Sequence, residues 1–375
     1  MEAFLSVYPN ADTAAMRNFV IEILQTSLPN FCDAAATLSA DLFDEIAEAL
    51  GVDVETRLYD TIDYDKVEQK VRYFAKFLND GDTEKFKRNV TDVTRYYVKR
   101  SAFENMRENC RGQKVKYARV PSGFETCPFC FMLASRGFVY GSEKKALIDH
   151  KSGDKYHANC DCIVIPGFED ENGNPRVKID GYDPQKMYEN WLKCSEAVGV
   201  DTSDGVTRWS DGDVKSVMKE AETRDWHWLY TGEGPKYKAD KNADPDEWEL
   251  RVGEILRKEC GFNVVFKARS LKDRRADTLI GGEKYEIKNP EGSMPLTVHN
   301  QIKKNLYGSG KKKILNPQSD KVIVSNVRSE ISFDEMVRQA REVLAGTTGF
   351  DEEELGCISE IVILDKSGKM LRLKK

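Results

Sequence analysis

The 375 residues suffice for two or three domains at roughly 100–200 residues each, and 40% hydrophobic with 32% charged residues supports real cores under a solvated surface. No apolar run approaches the roughly 18–20 residues of a bilayer span, and the start MEAFLSVYPNADTAA lacks a signal peptide's basic and apolar segments, so no membrane partner and a cytoplasmic origin are expected. The net charge of −6 is uneven: from Asp246 onward 24 Lys+Arg face 21 Asp+Glu, while residues 1–245 hold 33 against 42, so the C-terminal part suits a polyanion.

Residues from about 33 to 110 read as helices. Leu42, Ile46 and Leu50 share one face, and Tyr64, Val67, Val71, Phe74 and Leu78 recur at three- and four-residue steps. Breakers cluster at Asn79-Asp80-Gly81-Asp82, and another helix is expected over Thr83–Asn109. These stripes are packing faces, and residues 1–116 form one helical region.

Between Tyr117 and Phe168 the pattern changes to short strands, turns and Cys/His. Four of the nine cysteines crowd into this window, which in a reducing compartment points to metal rather than disulfides. Cys127-Pro-Phe-Cys130 turns two sulfurs toward one ion, and His157-Ala-Asn-Cys160 repeats the spacing, with Cys162 close behind. These residues satisfy the tetrahedral N/S preference of structural zinc. Five candidates compete for four positions, and Cys160 and Cys162 are not separated by spacing alone. Four protein ligands leave no place for a water, so the zinc is structural. A Gly/Asn/Pro turn (ENGNPR) and an amphipathic helix at Pro184–Ala197 close the segment 117–197.

The stretch from Ala118 to Tyr140 (ARVPSGFETCPFCFMLASRGFVY), with Tyr156-His157 and Cys160-Asp161-Cys162 downstream, resembles the Mu-F-like minor capsid proteins of tailed phages over about residues 30–195. The resemblance implies a few copies per virion, inside the phage head, with portal and capsid proteins as partners.

Residues 198–244 are rich in Gly, Asp, Ser and Thr and read as a connector, with one helix near Val214–Arg224. Its aromatic cluster, Asp225-Trp226-His227-Trp228-Leu229-Tyr230, is expected to anchor it against a domain rather than to stack bases.

The segment 245–375 has a readable order. A helix spans Pro245 to Cys260, followed by strands near Asn263–Lys267, Asp277–Ile280 and Lys284–Asn289. A helix at Pro295–Leu306, a strand at Lys321–Ser325, a helix at Phe333–Leu344 and strands at Glu360–Asp365 and Met370–Leu373 complete it. The order is α-β-β-β-α-β with additions, an α/β pattern.

Within RADTLIGGEKYEIKNP, a hairpin through Gly281-Gly282 brings Asp277 beside Glu286, and strand alternation puts Glu286 and Lys288 on one face. Two close carboxylates repel unless a cation sits between them, and Mg²⁺, a hard-oxygen ion, is the natural guest. Lys288 can steer the attacking water and offset charge developing on a phosphate. Glu249 from the preceding helix is expected to complete the site, with Glu254 in reserve. The next helix, TVHNQIKKNLYGSGKKK, offers Lys303, Lys304, Lys311, Lys312 and Lys313 as phosphate contacts and Gln301 to hold the water or a base edge. His299 is read as a substrate or structural contact.

This D…ExK constellation resembles that of PD-(D/E)xK nucleases, and YEIKNPEGS with the helix after it is similar to the C-terminal nuclease domains of contact-dependent growth inhibition toxins, over about residues 245–330. Asp277, Glu286 and Lys288 match the core triad, and Asn300-Gln301-x-Lys303 the following helix. Residue 276 is Ala where the family often has Pro. Many of those toxins cut tRNA, which favours RNA over DNA and implies an immunity protein as partner. The expected whole is multidomain: an α-helical region, a small zinc-stapled α+β core, then an α/β restriction-endonuclease-like domain. The expected function is a virion-borne metal-dependent endonuclease reaching the bacterial host cytoplasm. The alternatives are a structural minor capsid protein with an inactive C-terminal domain, or a DNA endonuclease.

Overall fold

The computed structural model describes residues 12–60, 62–122, 126–141, 162–202, 210–234, 237–268, 276, 278–307 and 315–375. The chain divides into two units, one of residues 1–126 and 136–182, the other of residues 127–135 and 183–375.

The first unit is built on two long helices, α1 (Thr13–Ala49) and α4 (Thr83–Gly112), with α2 (Tyr64–Phe74) and α3 (Lys76–Asn79) between them. Helix α1 starts twenty residues before the sequence expectation. Asp12 caps it by accepting from Ala15 N at 2.7 Å, and Pro29 lies inside it. A proline removes one backbone donor, and the burial of Val20, Ile21, Leu28 and Cys32 on either side holds the helix through that gap. Polar staples join α1 to α4: Ser101 Oγ donates to Cys32 O at 2.7 Å and Asn105 Nδ2 to Ala36 O at 3.0 Å. Asn105 and Asn109 also bind an extended segment, accepting from Tyr59 N at 2.9 Å and Arg57 N at 2.8 Å. Strand β1 (Tyr117–Pro121) pairs antiparallel with β2 (Cys162–Pro166). Ala118, Val120 and Ile165 pack there with Leu42 and Ile46, residues the helical stripe had marked as a packing face.

The second unit holds α5 (Pro128–Ala134), α6 (Pro184–Ala197), α7 (Asp211–Ala221), α8 (Trp226–Thr231) and a seven-stranded sheet. The strands are β3 (Tyr237–Ala239), β4 (Val264–Phe266), β5 (Thr278–Ile280), β6 (Glu283–Lys288), β7 (Lys321–Ser325), β8 (Glu360–Leu364) and β9 (Met370–Lys374), in that spatial order. Strands β4, β5 and β6 form an antiparallel meander, β6, β7 and β8 run parallel, and β9 returns antiparallel. Helices α9 (Glu247–Lys258), α10 (Thr297–Tyr307), α11 (Phe333–Leu344) and α12 (Glu352–Gly356) complete the unit. The α-β-β-β-α-β order is therefore present, with β7 and α11 ending where the sequence placed them.

Two cores flank the sheet. Val252 and Leu256 of α9 bury one face with Tyr285, Ile287, Ile323 and Val362. Val298, Ile302 and Leu306 of α10 and Met336, Ala340 and Val343 of α11 bury the other with Val322, Val324, Ile361 and Ile363. Strand alternation assigns these sets, since successive side chains leave opposite faces.

Two divisions of the chain differ from the sequence expectation. The segment 117–197 is split between the units, and the connector at 198–244 is part of the second. Helix α7 is capped by a Ser210–Asp213 box, α8 is buried through Trp228, and β3 pairs parallel with β4 at the sheet edge. The Trp228 indole lies against Gly261, whose φ is +77° and where a Cβ would come within 2.2 Å of the ring. Asn190 Nδ2 donates to Trp228 O at 2.9 Å. Trp228 and Leu229 of the aromatic cluster are thus buried anchors within the second unit.

Candidate active site

Strand β6 sets out the site. Its Tyr285 pairs with Thr278 across the hairpin, while Glu286 and Lys288 lie opposite Val322 and Val324 of β7. Glu286 and Lys288 therefore share the face covered by α10 and α11, as alternation required. Glu286 is 6% exposed. Lys288 Nζ donates to Glu286 Oε1 at 2.6 Å and to Gln318 Oε1 at 3.1 Å. An ammonium has three donors, so among the described residues one remains for an incoming oxygen. Asn289 follows directly, and its buried Oδ1 has no hydrogen-bond partner among the described residues. Asp277 precedes Thr278 in the chain and lies outside the described residues, as do Lys311, Lys312 and Lys313.

The remaining expected residues fall in different places. Glu249 sits in the first turn of α9, whose buried stripe serves the opposite sheet face, and its Oε2 accepts from Asp246 N at 2.9 Å in a capping box. Glu254 pairs with Lys258 at 2.6 Å on the helix surface. Gln301 is half-buried and Lys304 exposed on α10. Lys303 is turned inward: its Nζ donates to Gly349 O at 3.1 Å and ion-pairs with the buried Glu354. The expected phosphate contact is thus held in an ion pair within the fold. Burial alone would raise the Glu354 carboxyl, but hydrogen bonds from Lys303 and Tyr307 hold it below the usual range.

Beside this pair, His299 stacks edge-on to Phe350 with ring centroids 4.8 Å apart, its buried Nδ1 unpartnered among the described residues. Burial first, and then the Lys303 charge, lower its pKa below 6.5, against a weaker opposing effect of Glu354. The folded state therefore favours the neutral ring. The stability it contributes is complete above the unfolded pKa and is lost as pH falls through the folded one. Thermal unfolding followed between pH 7.5 and 5 should show His299→Leu losing less Tm on acidification than the wild type. Equal slopes would remove His299 as the cause.

Sequence reasoning missed Gln318 because its partner Lys288 is 30 residues away and no motif connects them.

At the cysteine cluster, Cys127 caps α5, and its Sγ accepts from Cys130 N at 3.4 Å. Cys130 is buried, and Cys162 opens β2 opposite Pro121. Among the described residues no group of three or more His, Cys, Asp and Glu is arranged to hold a metal ion, so the zinc staple is not supported there. His157 and Cys160 lie outside the described residues.

Comparison with known proteins defines the class first: this is a phage protein, with relatives in mycobacteriophages. The chain belongs to the VG15 protein family, whose model matches residues 1–194. The Gene 15 protein of Mycobacterium phage L5 is 35% identical over 139 residues, covering 28% of this chain and 43% of that protein. The Gene 15 protein of Mycobacterium phage D29 is 34% identical over 141 residues, covering 31% and 48%. The chain thus spans under half the length of these curated relatives. Among solved structures, the CdiA-CT/CdiI toxin and immunity complex from Burkholderia pseudomallei aligns with a TM-score of 0.27 at 16% identity, over 37% of this chain and 100% of that chain. Among the described residues no helix is long and apolar enough to cross a membrane.

Proposed function

We propose that the C-terminal part of this VG15-family protein is a PD-(D/E)xK metal-dependent endonuclease, carried by an N-terminal part that serves as a minor head protein. The observation that carries the reading is the Lys288 ammonium held 2.6 Å from Glu286 Oε1 on one face of β6, one strand from the segment that begins after Asp277. The proposed oxygen donors suit a hard cation: the Glu286 carboxylate, with Asp277 as the second carboxylate. Bound Mg²⁺ would supply a lowered water pKa and Lewis-acid polarisation of the phosphate. The chain's own groups do the rest. Glu286 and Asp277 bind and orient, and the third N–H of Lys288 stabilises charge developing on the phosphate oxygen.

RNA, tRNA in particular, is the proposed substrate, on the likeness of YEIKNPEGS and the helix after it to tRNA-cutting toxin domains. That likeness also supplies an immunity protein as a partner. A place inside the virion near the portal, and delivery to the host cytoplasm, follow from the Mu-F-like Cys/His stretch. The test incubates the purified chain with total tRNA and separately with plasmid DNA, with Mg²⁺ or with EDTA. Metal-dependent cleavage supports the nuclease, and the substrate that is cut decides RNA against DNA. Intact tRNA and DNA in every tube would leave a structural head protein.

Structural zinc at four of Cys127, Cys130, His157, Cys160 and Cys162 is part of the same proposal. An N–H donated to sulfur, as from Cys130 N to Cys127 Sγ, suits a thiolate ligand. One zinc per chain by elemental analysis is expected, with a lowered Tm after chelation. A zinc-free protein with an unchanged Tm would end this part of the proposal.

A further inference from the structure

The proposed site has a hub that no motif marks. Gln318 lies in the turn before β7, and its backbone is clamped at both ends: Gln318 N donates to Asn305 O at 3.1 Å, and Gln318 O accepts from Ala276 N at 2.9 Å. Asn305 is fully buried on α10 and fixes the next residue as well, donating to Ser319 O at 2.8 Å and accepting from Ser319 N at 3.3 Å. Ser319 Oγ in turn donates to Lys284 O of β6 at 3.2 Å. From this fixed backbone the Gln318 side chain reaches Lys288 Nζ.

We infer that Gln318 is the positioning residue of the site, an assignment that rests on the nuclease reading. Its carbonyl oxygen holds the backbone immediately before Asp277, while its side-chain oxygen holds the Lys288 ammonium. One residue thereby ties the Lys288 ammonium to the Ala276 backbone. Without the side-chain acceptor, Lys288 keeps Glu286 alone and can rotate about it, so its remaining donor no longer has a fixed direction. Reacting groups misplaced by about 1 Å can lose 10²-fold in rate. The backbone bonds do not depend on side-chain identity, so the fold survives the substitution.

The test compares full-length wild type, Gln318→Leu and Gln318→Glu. On the substrate the wild type cuts, Gln318→Leu should lower kcat roughly 10–100-fold with KM little changed and Tm preserved, while Gln318→Glu, which keeps an acceptor at that reach, recovers most of kcat. A second readout is the ¹⁵N signal of the Lys288 ammonium, visible when its hydrogen bonds slow proton exchange and assigned by its loss in Lys288→Arg. That signal should be present in the wild type and in Gln318→Glu and absent in Gln318→Leu. Unchanged kcat in Gln318→Leu, or a loss that Gln318→Glu fails to recover with the signal intact, overturns the assignment. A wild type that cuts neither tRNA nor DNA rejects the nuclease instead. The ammonium signal then judges the positioning alone, and its persistence in Gln318→Leu overturns that too.

Discussion

Lys288→Ala and Glu286→Ala should each reduce Mg²⁺-dependent cleavage by at least about 10²–10³-fold, the usual cost of removing one pre-aimed electrostatic group from a site that develops charge. The two losses differ in origin. Lys288→Ala leaves the carboxylate side intact, so metal affinity should hold while kcat collapses. Glu286→Ala removes a proposed ligand and strips the half-buried Lys288 of its counter-charge, so metal titration should weaken along with the rate. Glu286→Gln separates the effects, keeping an acceptor for Lys288 Nζ while losing the charge. Lys288→Arg is not expected to rescue, because a planar guanidinium cannot replace a compact ammonium held 2.6 Å from one oxygen and 3.1 Å from another. Single-turnover kinetics with circular dichroism on each variant checks this. Folded variants that cut at the wild-type rate would sink the assignment of both residues.

Much of the second unit could be read in advance because its elements obey local rules. Helix α11 matched residue for residue: a Ser332 cap, acidic Asp334 and Glu335 in its first turn, and a buried stripe of Met336, Val337, Ala340 and Val343 at helical spacing. The face shared by Glu286 and Lys288 needed only the two-residue period of a strand. The start of α1 was hidden by Pro29, a local breaker signal that tertiary burial overrides. The contacts of Glu249 and Lys303 were illegible for another reason. A carboxylate three residues after an N-cap serves the cap, and a lysine facing a buried carboxylate serves the pair, but only the fold shows which partner is near. Gln318 is the extreme case, since its importance arises wholly from contacts 13 to 42 positions away in sequence.

The segment 198–244 concealed its role because single large or charged side chains, rather than a periodic stripe, fasten it. Glu220 accepts from Arg224 Nη2 at 2.7 Å and from Arg372 Nη1 at 3.0 Å, and Arg372 Nε donates to Glu360 Oε1 at 2.6 Å. Arg372 also reaches Tyr285 OH at 3.0 Å, and the Arg224 guanidinium lies 4.2 Å over the Phe262 ring. All four charged side chains are at most 8% exposed. Burial works against the Arg372 charge, yet the hydrogen bond to Glu360 and the charge of Glu220 raise its pKa above the ordinary value. Glu220→Ala therefore takes the carboxylate from the buried Arg224 guanidinium and leaves Arg372 with Glu360 alone. Breaking a buried pair from one side costs about 3–5 kcal/mol, equivalent to roughly 10 °C in Tm for a unit of this size. Replacing Glu220, Arg224, Glu360 and Arg372 together by Met should cost less than Glu220→Ala, because only removal of all four leaves no charge stranded. By the same reasoning, a fragment starting at residue 245, which loses Glu220, Arg224 and Trp228 at once, should fail to unfold cooperatively, whereas the full chain does. Calorimetry on these forms decides the matter: a Glu220→Ala Tm within 2 °C of wild type, or a cooperative transition from the shorter fragment, would show that the seven-stranded sheet stands without the segment packed beside it.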